Sequence, residues 1–250
     1  INIITEKPKQ NTVKGDLSYF TRVGARDELD LNGNFVYRKT KLGLVIGFNS
    51  NSGGAFDFSP KTPGNTSEAY QSYSTNLQLT YKFSDKIRLL TSQRYFYESQ
   101  NIVNIQRDWN SNFELNHLIS ENLSLDYTFY ATRFKTESQF DGSQSLFNQT
   151  LFRPEIRATL NFINSSLNAG VGMNFDALDR TFFDKKETFN SKYLFIQYDF
   201  NPIKNMNAVV GARFDSHNKY KSAFSPKIST IYTIKDELKV KASVGFGFKA

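Results

Sequence analysis

One set of alternate positions in this sequence carries a series of charges. Lys82, Arg88, Arg94, Arg153, Arg157, Arg213, Lys227, Lys239 and Lys241 share it with Glu98, Glu114, Asp126, Glu155, Asp176, Asp199 and Asp215. Apolar residues occupy the positions between, so the charges line one side of extended segments. Most charges so arranged pair with each other. Those late in their segments are placed to meet a ligand, and Arg94 with Phe96, and Arg213 with Asp215, are in that position. A guanidinium is a planar fork of donors that fits carboxylates, catecholates and polyanionic chelates. Phe96, Tyr97, Phe56 and Phe58 could wall such a ligand. The candidate ligand-binding residues are therefore Arg94, Phe96, Arg213 and Asp215.

Other chemistry finds no support in the residue types. Of the two histidines, His117 falls on the apolar parity and His217 reads as a loop residue. Neither has a second His, Cys or carboxylate at ligand spacing, so no metal site is expected. No phosphate-cradling Gly-rich loop, metalloprotease motif or nucleophile elbow occurs. A barrel enzyme with a Ser–His pair at its rim would need a serine to meet His117, and nothing in the spacing favours one. No catalytic residue, cofactor or enzymatic activity is expected.

The elements that must hold these charges are strands. The stretch "VVGARFDSHNKYKSAFSPKISTIYTIKDELKVKASVGFGFKA" is typical: Leu238, Val240, Ala242, Val244, Phe246 and Phe248 alternate with Lys239, Lys241, Ser243, Gly245 and Gly247. The same period of two runs through Tyr73–Phe83, Leu123–Tyr130, Phe152–Phe162 and Leu167–Asp176. It predicts about 13 strands and no helix: 12–23, 28–38, 41–51, 69–83, 87–99, 108–119, 123–136, 147–162, 166–177, 188–200, 206–216, 222–234 and 238–249.

Tight connections, such as Ser84–Lys86 and Ser120–Asn122, alternate with longer polar ones, such as Ser52–Glu68 and Leu178–Glu187. A soluble sandwich or barrel has no reason to gather its short turns at one end. An outer-membrane barrel does. Strand lengths suffice to cross a bilayer, which takes roughly 9–11 tilted residues. Aromatics near the tight turns (Tyr81, Phe83, Phe162, Tyr198, Phe200, Tyr232) fit an interfacial girdle. Lipid suits the apolar rows and a wet lumen suits the lysines.

Composition agrees. Hydrophobic residues make up only 39% of the 250, yet 15% are aromatic, as alternation gives. No apolar run approaches the roughly 20 residues of a membrane helix. Cysteine is absent, so there is no disulfide framework. The net charge of +7 is scattered along the chain without a basic run, which argues against a nucleic-acid partner.

Four pieces carry a resemblance to a known family. The opening "INIITEKP" resembles the strand that ends the plug domain of TonB-dependent outer-membrane receptors. Gly211–Asp215, Ser222–Lys227 and Gly247–Ala250, within residues 193–250, resemble the mid-barrel pattern of the ferric-siderophore and cobalamin receptors. The resemblance implies a plugged transmembrane antiparallel β-barrel of about 22 strands. Residues 1–9 would be the end of the plug, and 10–250 the first part of an up-and-down barrel, present in part. It further implies residence in the outer membrane of a Gram-negative bacterium and energised uptake of a scarce nutrient such as an iron–siderophore complex, haem or cobalamin. The implied partners are that metal chelate or cobalamin, the membrane lipid, and a TonB energising complex reached through plug residues outside this chain. A passive porin is the alternative, and a plug argues against its open lumen.

Overall fold

The computed structural model describes residues 12–22, 27–59, 61, 63–101, 104–140, 142–235 and 238–247. The expected plug strand at Ile1–Pro8 lies outside these residues. Thirteen strands form, in the expected order: β1 (Thr12–Arg22), β2 (Glu28–Lys39), β3 (Leu42–Gly53), β4 (Tyr70–Lys82), β5 (Ile87–Gln100), β6 (Asn104–Leu118), β7 (Leu123–Phe140), β8 (Ser143–Asn161), β9 (Ser165–Arg180), β10 (Glu187–Ile203), β11 (Met206–His217), β12 (Ala223–Lys235) and β13 (Leu238–Gly245). They make one sheet in which every neighbour in space is a neighbour in sequence. Among the described residues there is no helix.

Two compact units make up the chain. The first comprises residues 1–113, 130–151 and 177–187, and the second comprises 114–129, 152–176 and 188–250. In the first, β2, β3, β4 and β5 pair antiparallel with matched apolar rows: Phe35↔Ile46, Tyr37↔Leu44, Ile46↔Leu77 and Leu44↔Leu79. The opposite face of β1–β3 is a polar ladder, in which Asn34 donates to Asp16 (3.1 Å), Asn32 to Asp30 and Asn49 to Asn32. In the second unit, Leu194↔Phe214↔Phe224 and Tyr198↔Val210↔Ile228↔Val244 continue as apolar rows across β10–β13. A one-residue slip anywhere would turn these rows inside out, so the matching excludes odd slips of register.

Neither unit hides its apolar row under a second layer. Among the described residues only Tyr193 and Ala208 are buried apolar residues, while Leu17, Val171 and Val244 stay 70%, 56% and 62% exposed. A soluble domain of this length buries most of its apolar surface. A face this apolar and this open suits hydrocarbon better than water.

Two expectations need correction. The connection expected between β7 and β8 shrinks to residues 141–142, and that between β5 and β6 to 101–103, because the strands run on as tall hairpins. Length asymmetry is thus carried by strand extension as well as by loops. The second correction concerns β13, which stops at Gly245 rather than reaching residue 249. Gly245 pairs with Lys227, and the next position on β12 is Pro226, which accepts a bond from Phe246 (3.0 Å) but has no N–H to return.

The connection at residues 54–69 is built rather than loose. Phe56 and Ser67 form a two-way backbone bridge at 3.0 Å. Asp57 accepts from the Ser59 N–H (2.8 Å) and the Thr66 hydroxyl (3.0 Å).

Candidate ligand-facing site on the polar face

In the first unit, β4 sets the environment of Arg94 and Phe96. Asn76, Ser74 and Ser72 stand opposite Arg94, Phe96 and Glu98 on the polar face. These small uncharged neighbours give Arg94 no carboxylate, and among the described residues its guanidinium has neither ion-pair nor hydrogen-bond partner. It is exposed, with Phe96 half-buried two residues on. In the same unit, Phe56 and Phe58 meet edge to face at 4.8 Å in the built connection, which leaves Phe58 80% exposed.

Tyr97 does not join this wall. It is opposite Tyr73 on the apolar face and stacks on it at 4.8 Å. Strand parity puts adjacent residues on opposite faces, so Phe96 and Tyr97 cannot line one site.

The tops of β7–β9 carry a group that sequence reasoning missed. Phe134 and Phe147 meet edge to face at 5.8 Å, and Arg180 lies over Phe147 at 5.5 Å and Phe183 at 5.8 Å. Among the described residues Arg180 has no carboxylate partner. Its charge is attracted to the ring faces, and its N–H edge stays available. The signal was present in sequence, because Arg180 continues the polar parity of Asn174 and Asp176. It was hidden by reading Leu178–Glu187 as a loop, whereas β9 runs to Arg180.

In the second unit the polar charges are mostly matched. Asp126 accepts from Arg157 Nη2 (2.7 Å) and Nε (3.2 Å), and from Asn116 (2.7 Å). Arg153 Nε donates to Asn174 (2.6 Å), whose amide donates to Ser191 (2.8 Å). Arg213 and Asp215 are side by side on β11. Nε donates to both carboxylate oxygens (3.1 and 2.9 Å) and Nη2 to Oδ1 (2.8 Å). The Arg213 guanidinium carbon also lies over the Tyr193 ring, 3.9 Å from its centroid, and the Tyr193 hydroxyl donates to Glu155 (2.7 Å). Tyr193 and Phe195 occupy this space because β9 offers glycines beneath them: a Cβ on Gly172 would lie 2.4 Å from the Tyr193 ring, and one on Gly170 2.6 Å from Phe195. Arg213 thus presents a closed pair, unlike Arg94 and Arg180.

The histidines are structural neighbours of turns and girdles. His217 is the last residue of β11 rather than a loop residue. Its Nδ1 accepts from the Lys219 N–H (3.1 Å) and its ring packs on Tyr220 at 4.9 Å. His117 keeps its apolar parity near the end of β6. Among the described residues no cluster of His, Cys, Asp or Glu could hold a metal.

An open-faced meander of tall antiparallel strands, apolar on one face and charged on the other, defines an outer-membrane β-barrel. The family described as "TonB dependent receptor-like, beta-barrel" matches residues 15–250, and the chain belongs to it. Three solved structures share the fold. The siderophore receptor PirA from Pseudomonas aeruginosa superposes with a TM-score of 0.72 at 15% identity, over 98% of this chain and 47% of its own. The ferric enterobactin receptor PfeA from the same organism, as a G324V mutant, gives 0.71 at 10%, over 95% and 44%. The FrpB iron transporter from Neisseria meningitidis gives 0.70 at 11%, over 86% and 43%. The chain spans less than half the length of each. Comparison with curated protein sequences returned no match.

Proposed function

We propose that this chain is the ligand-facing part of a receptor for energised uptake of an anionic, ring-bearing metal chelate, with iron–siderophore complexes ahead of haem and cobalamin. The observation that carries the reading is a pair of unsatisfied cations on the polar face, each beside aromatic surface. These are Arg94 next to Phe96, and Arg180 between Phe147 and Phe183. A carboxylate or catecholate chelate offers the charge such a fork accepts and the rings or methylenes such walls cover. Arg213 and Asp215 would contribute as a pair that opens only if a ligand outcompetes their mutual bonds. The names of the similar structures, which include a siderophore receptor, a ferric enterobactin receptor and an iron transporter, point the same way.

On this reading residues 1–9 end a plug, uptake draws energy through TonB, and the protein resides in the Gram-negative outer membrane. The test is growth of a gene-deleted strain on single defined sources of iron, haem or cobalamin, with wild type, Arg94→Ala and Arg180→Ala restored in turn. One source should fail without the gene. Each variant should weaken binding of that chelate roughly 10- to 100-fold, as for a lost charge-assisted bond. Uptake that persists after the inner-membrane gradient is collapsed would instead identify a passive channel.

A further inference from the structure

The outer face of β7 changes character along its length. From the tight turn upward it presents Leu123, Leu125, Tyr127, Phe129 and Ala131, and then Arg133, Lys135 and Glu137. The apolar part ends about ten residues above the turn, which is the span a tilted strand needs to cross the hydrocarbon. Arg133 and Lys135 therefore stand at the level of the lipid headgroups, on the side that faces them.

These cations are held in place. Arg107 of β6 donates to Glu137 at 2.5 Å, and Lys135 holds the same carboxylate. Arg107 lies over the Tyr97 ring at 5.7 Å, and Arg133 Nε donates to Asn148 at 3.1 Å. Beneath them Tyr73 stacks on Tyr97, and the exposed Trp109 of β6 shares their face. Rings of this kind anchor at an interface. The cluster thus sets three cations against one carboxylate. The same face of β9 adds Asp179, two strands away.

We propose that Arg107, Arg133 and Lys135 bind the phosphates of an outer-leaflet glycolipid. Asn148 holds Arg133 and the Tyr97 ring holds Arg107 before any lipid arrives, which lowers the ordering cost, while Glu137 competes with a phosphate for Arg107 and Lys135. The excess charge suits a bisphosphorylated headgroup better than a singly charged one, since each interfacial cation contributes roughly fivefold in affinity.

The receptor carrying this chain is purified in detergent, exchanged into nanodiscs, and assayed for retention of bisphosphorylated lipid A, its fully dephosphorylated form and phosphatidylglycerol. The wild type should retain lipid A in clear preference to both others. The triple variant Arg107→Gln, Arg133→Gln, Lys135→Gln should lose roughly 100-fold of that retention. Lys227→Gln, on the polar face, should leave it unchanged. Glu137→Gln keeps all three cations and frees them, so it should hold lipid A about fivefold tighter, which tests the proposal even if the triple variant does not fold. Equal retention of dephosphorylated lipid by the wild type, an undiminished triple variant, or no gain in Glu137→Gln each overturns the proposal.

Discussion

Single side chains in this sheet answer to the solvent on their own side of it. Leu125 and Val171 lie on the apolar rows, and replacing either with Arg should cost roughly 2–4 kcal/mol. Denaturant titration of the lipid-reconstituted receptor checks this, and a loss under 1 kcal/mol would reverse the two faces. Glu137, above the apolar stretch, is held below the usual carboxylate range by Lys135 first and then by Arg107. A depressed carboxyl stabilises the fold fully above its unfolded value, about 4.3, and that contribution fades as pH falls through the depressed value. Glu137→Gln should thus unfold more readily than wild type at pH 7, and the difference should close as pH falls below the depressed value. A gap that persists in acid would mean the pair does not act through charge. Such assignments were largely legible in the sequence, because lipid on one side and water on the other impose strict parity. Tyr97 was misplaced where that parity was not applied between neighbours. Arg180 was missed because its rings come from β8 and the β9–β10 turn, which spacing along β9 does not reveal.

At the scale of elements, strand number and order were fully legible and strand tops were not. Alternation of apolar and polar residues marks a strand only while its two faces meet different solvents. Above the hydrocarbon both faces meet polar surroundings, and β7 there turns Phe134 inward and Arg133, Lys135 and Glu137 outward. The pattern inverts, so the strand read as ending. The built connection at residues 54–69 should be cut by protease added to intact cells, while 83–86 should be spared. Fragment masses from washed cells would show the reverse if the sheet were upside down. The β2–β3 turn holds Thr40 at a φ of 36°, a region costly for a β-branched residue. Thr40→Asn should raise stability by about 0.5–1 kcal/mol, since Asn tolerates that region. A lowered unfolding midpoint would show that the Thr40 hydroxyl matters more than its backbone.

For the whole molecule, the strand order leaves β1 and β13 with one neighbour each. Unpaired backbone groups on a strand edge are not tolerated in hydrocarbon and template association in water. These 250 residues refolded alone in detergent should therefore self-associate, with light scattering reporting several chains per micelle. A monodisperse single chain would mean that the two edges close on each other.

The paired glycines of β9 bear on how such a sheet is put together. Its polar face runs Asn168, Gly170, Gly172, Asn174, and the rings of Phe195 and Tyr193 fill the two central gaps. If β10 docked two residues out of step in either direction, one ring would still find a glycine while the other met an asparagine. Only one alignment seats both. Errors of two residues preserve parity, so the apolar row cannot detect them, and once a strand is hydrogen-bonded within lipid there is no water to help it slide back. The glycines thus act as a key cut with two notches, checked at the moment of docking, and their importance belongs to fidelity of assembly more than to the strength of the finished wall.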